Sequence, residues 1–133
     1  MDPASALADL IEISSQVDAA VVLDPEGAVL ASTLDDAARS ERLGRAGAAL
    51  LAAGDESPAT GARTLTQLEV ALREGSVFAV REEGRSIVAT TSAEPTSGLV
   101  FYDLKTCLRS LADGAAETAA KPKRRPKKEE ADA

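Results

Sequence analysis

The side chains that could do chemistry in this chain are few, and their neighbours in the sequence give them little help. Lone serines such as Ser14, Ser15 and Ser86 offer hydroxyls and Cys107 offers the single thiol, but the 133 residues contain no histidine to activate either. Hydrolase triads built on histidine are therefore excluded, and a serine–lysine variant finds little support. One cysteine allows no internal disulfide, and no Cys/His spacing points to zinc. Cys107 falls on the apolar stripe of a predicted helix, where it reads as a core residue and not as a nucleophile. The acidic pairs Asp35-Asp36 and Glu82-Glu83 fall at a helix start and in a turn, positions that solvation explains without catalysis. Gly44 and Gly47 lie inside a predicted helix, where they permit close packing, and the chain carries no GxxxxGK[ST] phosphate loop. The residues point to a protein without catalytic, cofactor or metal chemistry of its own.

Charge is distributed unevenly along the chain. The formal net charge is −7, yet six of the 15 basic residues and only three of the 22 acidic ones follow Ala120. The body before that point is more acidic than the whole, which argues against a nucleic-acid-binding domain. The end of the chain carries Lys121, Lys123, Arg124, Arg125, Lys127 and Lys128 in a run broken by Pro122 and Pro126, then turns acidic. With no large apolar residue and two prolines, this segment is expected to be disordered and to offer a basic tether for an anionic partner. Domain boundaries at 1–114 for a folded unit and 115–133 for the tail follow. The opening Met1-Asp2-Pro3-Ala4-Ser5 lacks the basic and apolar pattern of a signal peptide, and no apolar run approaches a membrane span, so a cytoplasmic protein is expected.

The elements that must position any functional surface follow from the hydrophobic pattern. Asp2 and Pro3 start a first helix through Leu7, Leu10 and Ile11 that ends near Gln16. The apolar runs Ala19–Leu23 and Ala28–Ser32 flank Asp24-Pro25-Glu26-Gly27, a hairpin turn. Asp35 or Asp36 caps a long helix to about Gly54, whose glycine suits a left-handed exit. Leu68, Val70 and Leu72 alternate with Gln67, Glu69 and Arg73, a strand covered on one face. Two more strands, around Val77–Val80 and Ile87–Thr90, are apolar on both faces and so belong in the middle of a sheet covered above and below. Thr96 or Ser97 caps a last helix with the stripe Val100, Phe101, Leu104, Cys107, Leu108 and Leu111, stopping at Gly114.

The middle helix carries the strongest signal for a partner. Residues 46–53 are eight consecutive apolar or small positions, leaving no fully polar face. On a helical wheel Leu43, Gly47, Leu50 and Leu51 share one side, which suits the chain's own core. Ala46, Ala49 and Ala53 lie roughly opposite, flanked by Arg42 and Arg45. Alanine at successive turns lets two helix axes approach to about 8 Å, so this second stripe suits a helix–helix seam. The alternative is that alanine, the best helix former, simply fills an exposed face.

The element order helix, hairpin, helix, three-strand meander, helix resembles the roadblock family, named for a dynein light chain. Residues 98–105, Gly98-Leu99-Val100-Phe101-Tyr102-Asp103-Leu104-Lys105, are similar to bacterial members, as is the hairpin segment 20–32. The resemblance implies an α+β fold of order α-β-β-α-β-β-β-α: a five-stranded antiparallel sheet with two helices on one face and one on the other, a roadblock/profilin-like sandwich. It also implies a homodimer through the middle helix and the strand after it, which assigns Arg42, Ala46, Ala49, Ala53, Gln67 and Glu69 to the seam. In function it implies a non-catalytic scaffold or regulator of a Ras-like small GTPase; for contact residues the sequence itself offers Arg39 and Arg45, with Arg42, on the middle helix, which either meet an acidic partner surface or are simply solvated. Two other readings stand beside it: a small-ligand sensor of similar shape, which would need aromatic walls beyond Phe78, Phe101 and Tyr102, and an adaptor held to an anionic partner by its basic tail.

Overall fold

The computed structural model describes residues 1–120, with side chains through Leu111. The elements are α1 (Pro3–Ile13), β1 (Val17–Leu23), β2 (Val29–Ser32), α2 (Ala37–Asp55), β3 (Gln67–Ala71), β4 (Gly75–Glu82), β5 (Arg85–Ser92) and α3 (Ser97–Ala120). The five strands form one antiparallel sheet in the order β2-β1-β5-β4-β3. The three strands that are apolar on both faces, β1, β5 and β4, take the three inner places, because only there is each face covered. The basic segment after Ala120 lies outside the described residues.

Alternation along the strands divides the interior into two layers. Ala20, Val22, Phe78, Val80, Ile87 and Ala89 face α1 and α3, whose Leu7, Leu10, Val100, Leu104 and Leu108 complete that core. Phe78 and Phe101 meet edge-to-face with ring centroids 5.0 Å apart. Val21, Leu23, Ala79 and Val88 face the other way, against Leu51 of α2. The α2 layer is thin, and glycine makes it so: Gly44 and Gly47 are buried, and α2 rests almost directly on the sheet.

Local chemistry sets most of the boundaries. Asp2 accepts a hydrogen bond from Ser5 N–H at 2.8 Å, and Asp36 caps α2 by accepting from Ala38 and Arg39. In the β1–β2 turn, Asp24 Oδ1 accepts from the N–H groups of Glu26 and Ala28 while Gly27 takes φ +90°.

Several boundaries depart from expectation. Helix α1 ends at Ile13 and not near Gln16, since Ser14 turns extended and donates its N–H to Leu10 O. Ile11, expected inside, is 41% exposed. Helix α2 makes no left-handed exit: it runs through Gly54 to Asp55 and closes with Glu56 in ordinary right-handed geometry. Gly54 serves packing instead, because a Cβ there would overlap Leu65 Cδ2. Strand β3 is shorter than expected, and Leu72 lies beyond it, exposed in the turn to Gly75. Helix α3 does not stop at Gly114 but continues to Ala120. One glycine costs a helix only about 1 kcal/mol, and the alanines after it restore the propensity.

Leu50, placed on the core side by the wheel, is only half-buried and joins neither core layer; its neighbour Leu51 is the buried one, at 3% exposure. The wheel's apolar sector is broad, and the buried side centres on Ser40, Gly44, Gly47 and Leu51, leaving Leu50 at its margin. Leu51→Ala is therefore expected to cost about 2–5 kcal/mol as a core truncation. Leu50→Ala should cost less, about 1–2 kcal/mol, since part of its surface is already in water and it belongs to neither core layer. Urea denaturation of the two variants checks the order.

Candidate interaction surface

The outward side of α2 is the mirror of its buried side. Arg42, Ala46, Ala49 and Ala53 are all exposed and form one stripe directed away from the sheet. Next to the layer that α2 forms, β3 is an edge strand: β4 pairs with one side, and among the described residues no strand pairs with the other. Its outer N–H and C=O groups are thus open to a sixth strand.

The structure does not bring all the expected seam residues onto one surface. Glu69 pairs across the ladder with Phe78, whose ring lies in the α1/α3 core, so Gln67 and Glu69 point to that face of the sheet, away from α2. On the α2 side β3 presents Leu68 and Val70, opposite Ala79 and Val77, and both are only half-buried. Alternation in the sequence assigns these two apolar residues to the chain's own core, and Leu68 does pack against it. Both remain incompletely buried beside an open edge, and sequence alone gives the alternation without saying which helix covers which face.

Asp55, at the end of α2, fixes the approach to this edge. Its Oδ1 accepts from Arg81 at 2.8 Å and from Leu65 N–H at 3.2 Å, and Arg81 also donates to Leu65 O. These contacts, the Arg81 hydrogen bond foremost, hold the Asp55 carboxyl below its ordinary value.

The arginine candidates are exposed. Arg45 makes an open i,i+4 pair with Glu41 at 3.7 Å, which has little stabilising value. Arg39 lies with Arg42, Leu43 and Ala46 around a shallow hollow of about 290 Å³ where α2 meets Leu34, Ala19 and Thr90. The six basic residues 121, 123, 124, 125, 127 and 128 fall outside the described residues.

Among the described residues the groups that could do chemistry are engaged or buried singly. Burial, with the Asp9 charge as a lesser cause, pushes the Cys107 thiol up to about 11, keeping it protonated near neutrality. Asp36 is the α2 cap, and Glu82 is engaged by Arg109 at 2.9 Å. Among the described residues no group of three or more His, Cys, Asp or Glu could hold a metal ion. None of their helices is long and apolar enough to cross a membrane. Phe78 and Phe101 fill the core against each other, which weakens the sensor alternative.

No protein-family model matches the sequence, and no curated protein matches it. Solved structures do. The chain superposes on a roadblock/LC7 domain from Streptomyces avermitilis with a TM-score of 0.77 at 15% identity, covering 87% of this chain and 99% of that one. It superposes on the gliding protein MglB from Thermus thermophilus at 0.67 and 18%, covering 86% and 92%. For an MglB with a tetrameric arrangement the values are 0.70 and 18%, covering 85% and 87%. The element order, the antiparallel five-stranded sheet and the placement of the helices are shared with these structures, and the chain has the roadblock/LC7 fold.

Proposed function

We propose that this chain is a non-catalytic regulatory or scaffold subunit that pairs with a second copy through α2 and the β3 edge and acts on a Ras-like small GTPase in the cytoplasm. The observation that carries it is the outer stripe of α2: a long helix whose inward face is saturated by the sheet presents Arg42 and three alanines outward, with exposed Arg45 and Glu41 beside them, next to a strand with a free edge. Leu68 and Val70, half-buried on the same side, would be covered by the second copy. An assembly is also in keeping with the MglB that has a tetrameric arrangement. Gln67 and Glu69 would then contribute through their backbone at the strand edge, and the alanine stripe through side-chain packing.

The GTPase would supply the nucleotide and its phosphate site, since this chain has no phosphate loop of its own. Arg39 and Arg45, exposed at the sides of α2, would face its acidic surface. The partner class rests on the roadblock resemblance and on the likeness to the gliding protein MglB. To test it, the full chain is mixed with each Ras-like GTPase encoded near its gene and nucleotide turnover is followed. A changed rate or a stable complex with one of them is expected, and neither binding nor a rate change with any of them would overturn the assignment.

A further inference from the structure

We propose that the charges at the two ends of α2 give the pairing of two copies its direction: Glu56 of each chain is held by Arg42 and Arg39 of the other, with the two α2 helices antiparallel. This rests on the pairing through α2 proposed above and adds what sets its direction and register. Arg39, Arg42, Ala46, Ala49, Ala53 and Glu56 are all exposed and follow one another at alternating steps of three and four. The stripe they form is therefore basic at its start, small in its middle and acidic at its end. Among the described residues Arg39, Arg42 and Glu56 have no ion pair, whereas Arg45 is engaged by Glu41 and Asp55 by Arg81.

In a single chain these three charges oppose the helix dipole. The cap Asp36 apart, the first turn of α2 holds no acidic residue and its last turn no basic one; Arg39 and Arg42 stand near its start, and Glu56 is its C-cap. Helix starts favour anions and helix ends favour cations, so each group sits at the wrong end of its own helix. An antiparallel neighbour corrects all three, whereas a parallel one would set arginine on arginine and glutamate on glutamate. A two-fold axis that joins two β3 edges, with both α2 helices on one face of the sheet, also runs those helices in opposite directions. In an antiparallel seam of this spacing the layers are Ala46 with Ala49, Arg42 with Ala53 and Arg39 with Glu56 of the second copy. Ala53 leaves Arg42 room to lie across it, and one turn on, about 5 Å along the axis, its guanidinium meets that carboxylate. A longer side chain at 53 would close the passage. Arg39, level with Glu56 at the outer end of the seam, adds its charge and stays open to solvent.

Charge exchange in the full chain tests this, with the dissociation constant of the pair read by analytical ultracentrifugation. Arg42→Glu sets glutamate against Glu56 at both ends of the seam, and Glu56→Arg sets arginine against Arg42. Each alone is expected to raise the dissociation constant at least about tenfold, since two exposed ion pairs turn from attraction to repulsion. An equimolar mixture of the two variants should pair about as tightly as the parent, because both ends then join glutamate to arginine. That recovery also shows that each variant is folded. The double variant Arg42→Glu, Glu56→Arg should pair with itself, and in about 1 M salt, where charges are screened within about 3 Å, parent and single variants should converge. Single variants that pair as tightly as a pairing parent, or a mixture no tighter than either variant alone, would overturn the proposal and leave the pairing itself in place. A parent that stays a single copy would remove both.

Discussion

Gly47→Ala is expected to destabilise the fold by about 1–2 kcal/mol, although alanine is the better helix former. Two effects oppose each other. Replacing a mid-helix glycine by alanine gains about 1 kcal/mol in helix propensity. Against it stands the position itself, where a Cβ would overlap Val88 Cγ2 and lie 2.7 Å and 2.9 Å from Val88 Cγ1 and Cβ. Val88 is fully buried on β5, the central strand of the sheet, and its branched side chain has few rotamers into which it can retreat. The helix must lift or the strand must move, and overpacking of this kind costs about 1–3 kcal/mol and occasionally more. Gly54→Ala is the natural control. Its Cβ would overlap only the Cδ2 end of a half-buried leucine, Leu65, which can rotate aside, so the change should be near neutral. Urea denaturation gives both values, and adding Val88→Ala to Gly47→Ala should recover part of the loss as a coupling between the two sites. A Gly47→Ala protein as stable as the parent would show that α2 does not bear on the sheet as closely as described.

The same contact explains what the sequence could and could not disclose. Strands β1, β4 and β5 are legible because continuous apolar runs demand cover on both faces, and caps at Asp2 and Asp36 follow from side-chain chemistry that acts within three residues. Most misplaced features depend on a distant element. Gly54 looks like a helix exit until Leu65 is seen to need its space. Leu50 and Leu51 are equivalent on paper, and only the position of the sheet beneath α2 decides which is buried. The end of α3 misleads for a local reason: a single glycine looks like a stop, yet an alanine-rich stretch follows it. Of the proposed surface, the α2 stripe is legible from periodicity. The side of β3 is not, because alternation defines two faces, and the pairing of Glu69 with Phe78 is what assigns them.

Ala49→Glu is expected to break the paired assembly while leaving the single chain folded. On a solvated helix face the change costs a few tenths of a kcal/mol at most, because glutamate is itself a good helix former. In a seam of alanines, symmetry places the new carboxylate of each copy against the same stripe of the other, so one substitution introduces two desolvated charges. An unpartnered buried charge costs about 3–5 kcal/mol, which corresponds to about a hundredfold to a few thousandfold rise in the dissociation constant. Arg45 stands one turn before Ala49 and could neutralise the glutamate, although it is already drawn toward Glu41. Ala53→Glu, a further turn from that arginine on the same stripe, removes the ambiguity. Light scattering at micromolar concentration should give the parent chain twice its 13.7 kDa mass and both variants close to the single-chain value, with unchanged circular dichroism. A parent chain that scatters as a single copy, or variants that pair as well as it does, would leave α2 with a merely wet surface. Regulation through a paired α2 platform would then have no physical basis.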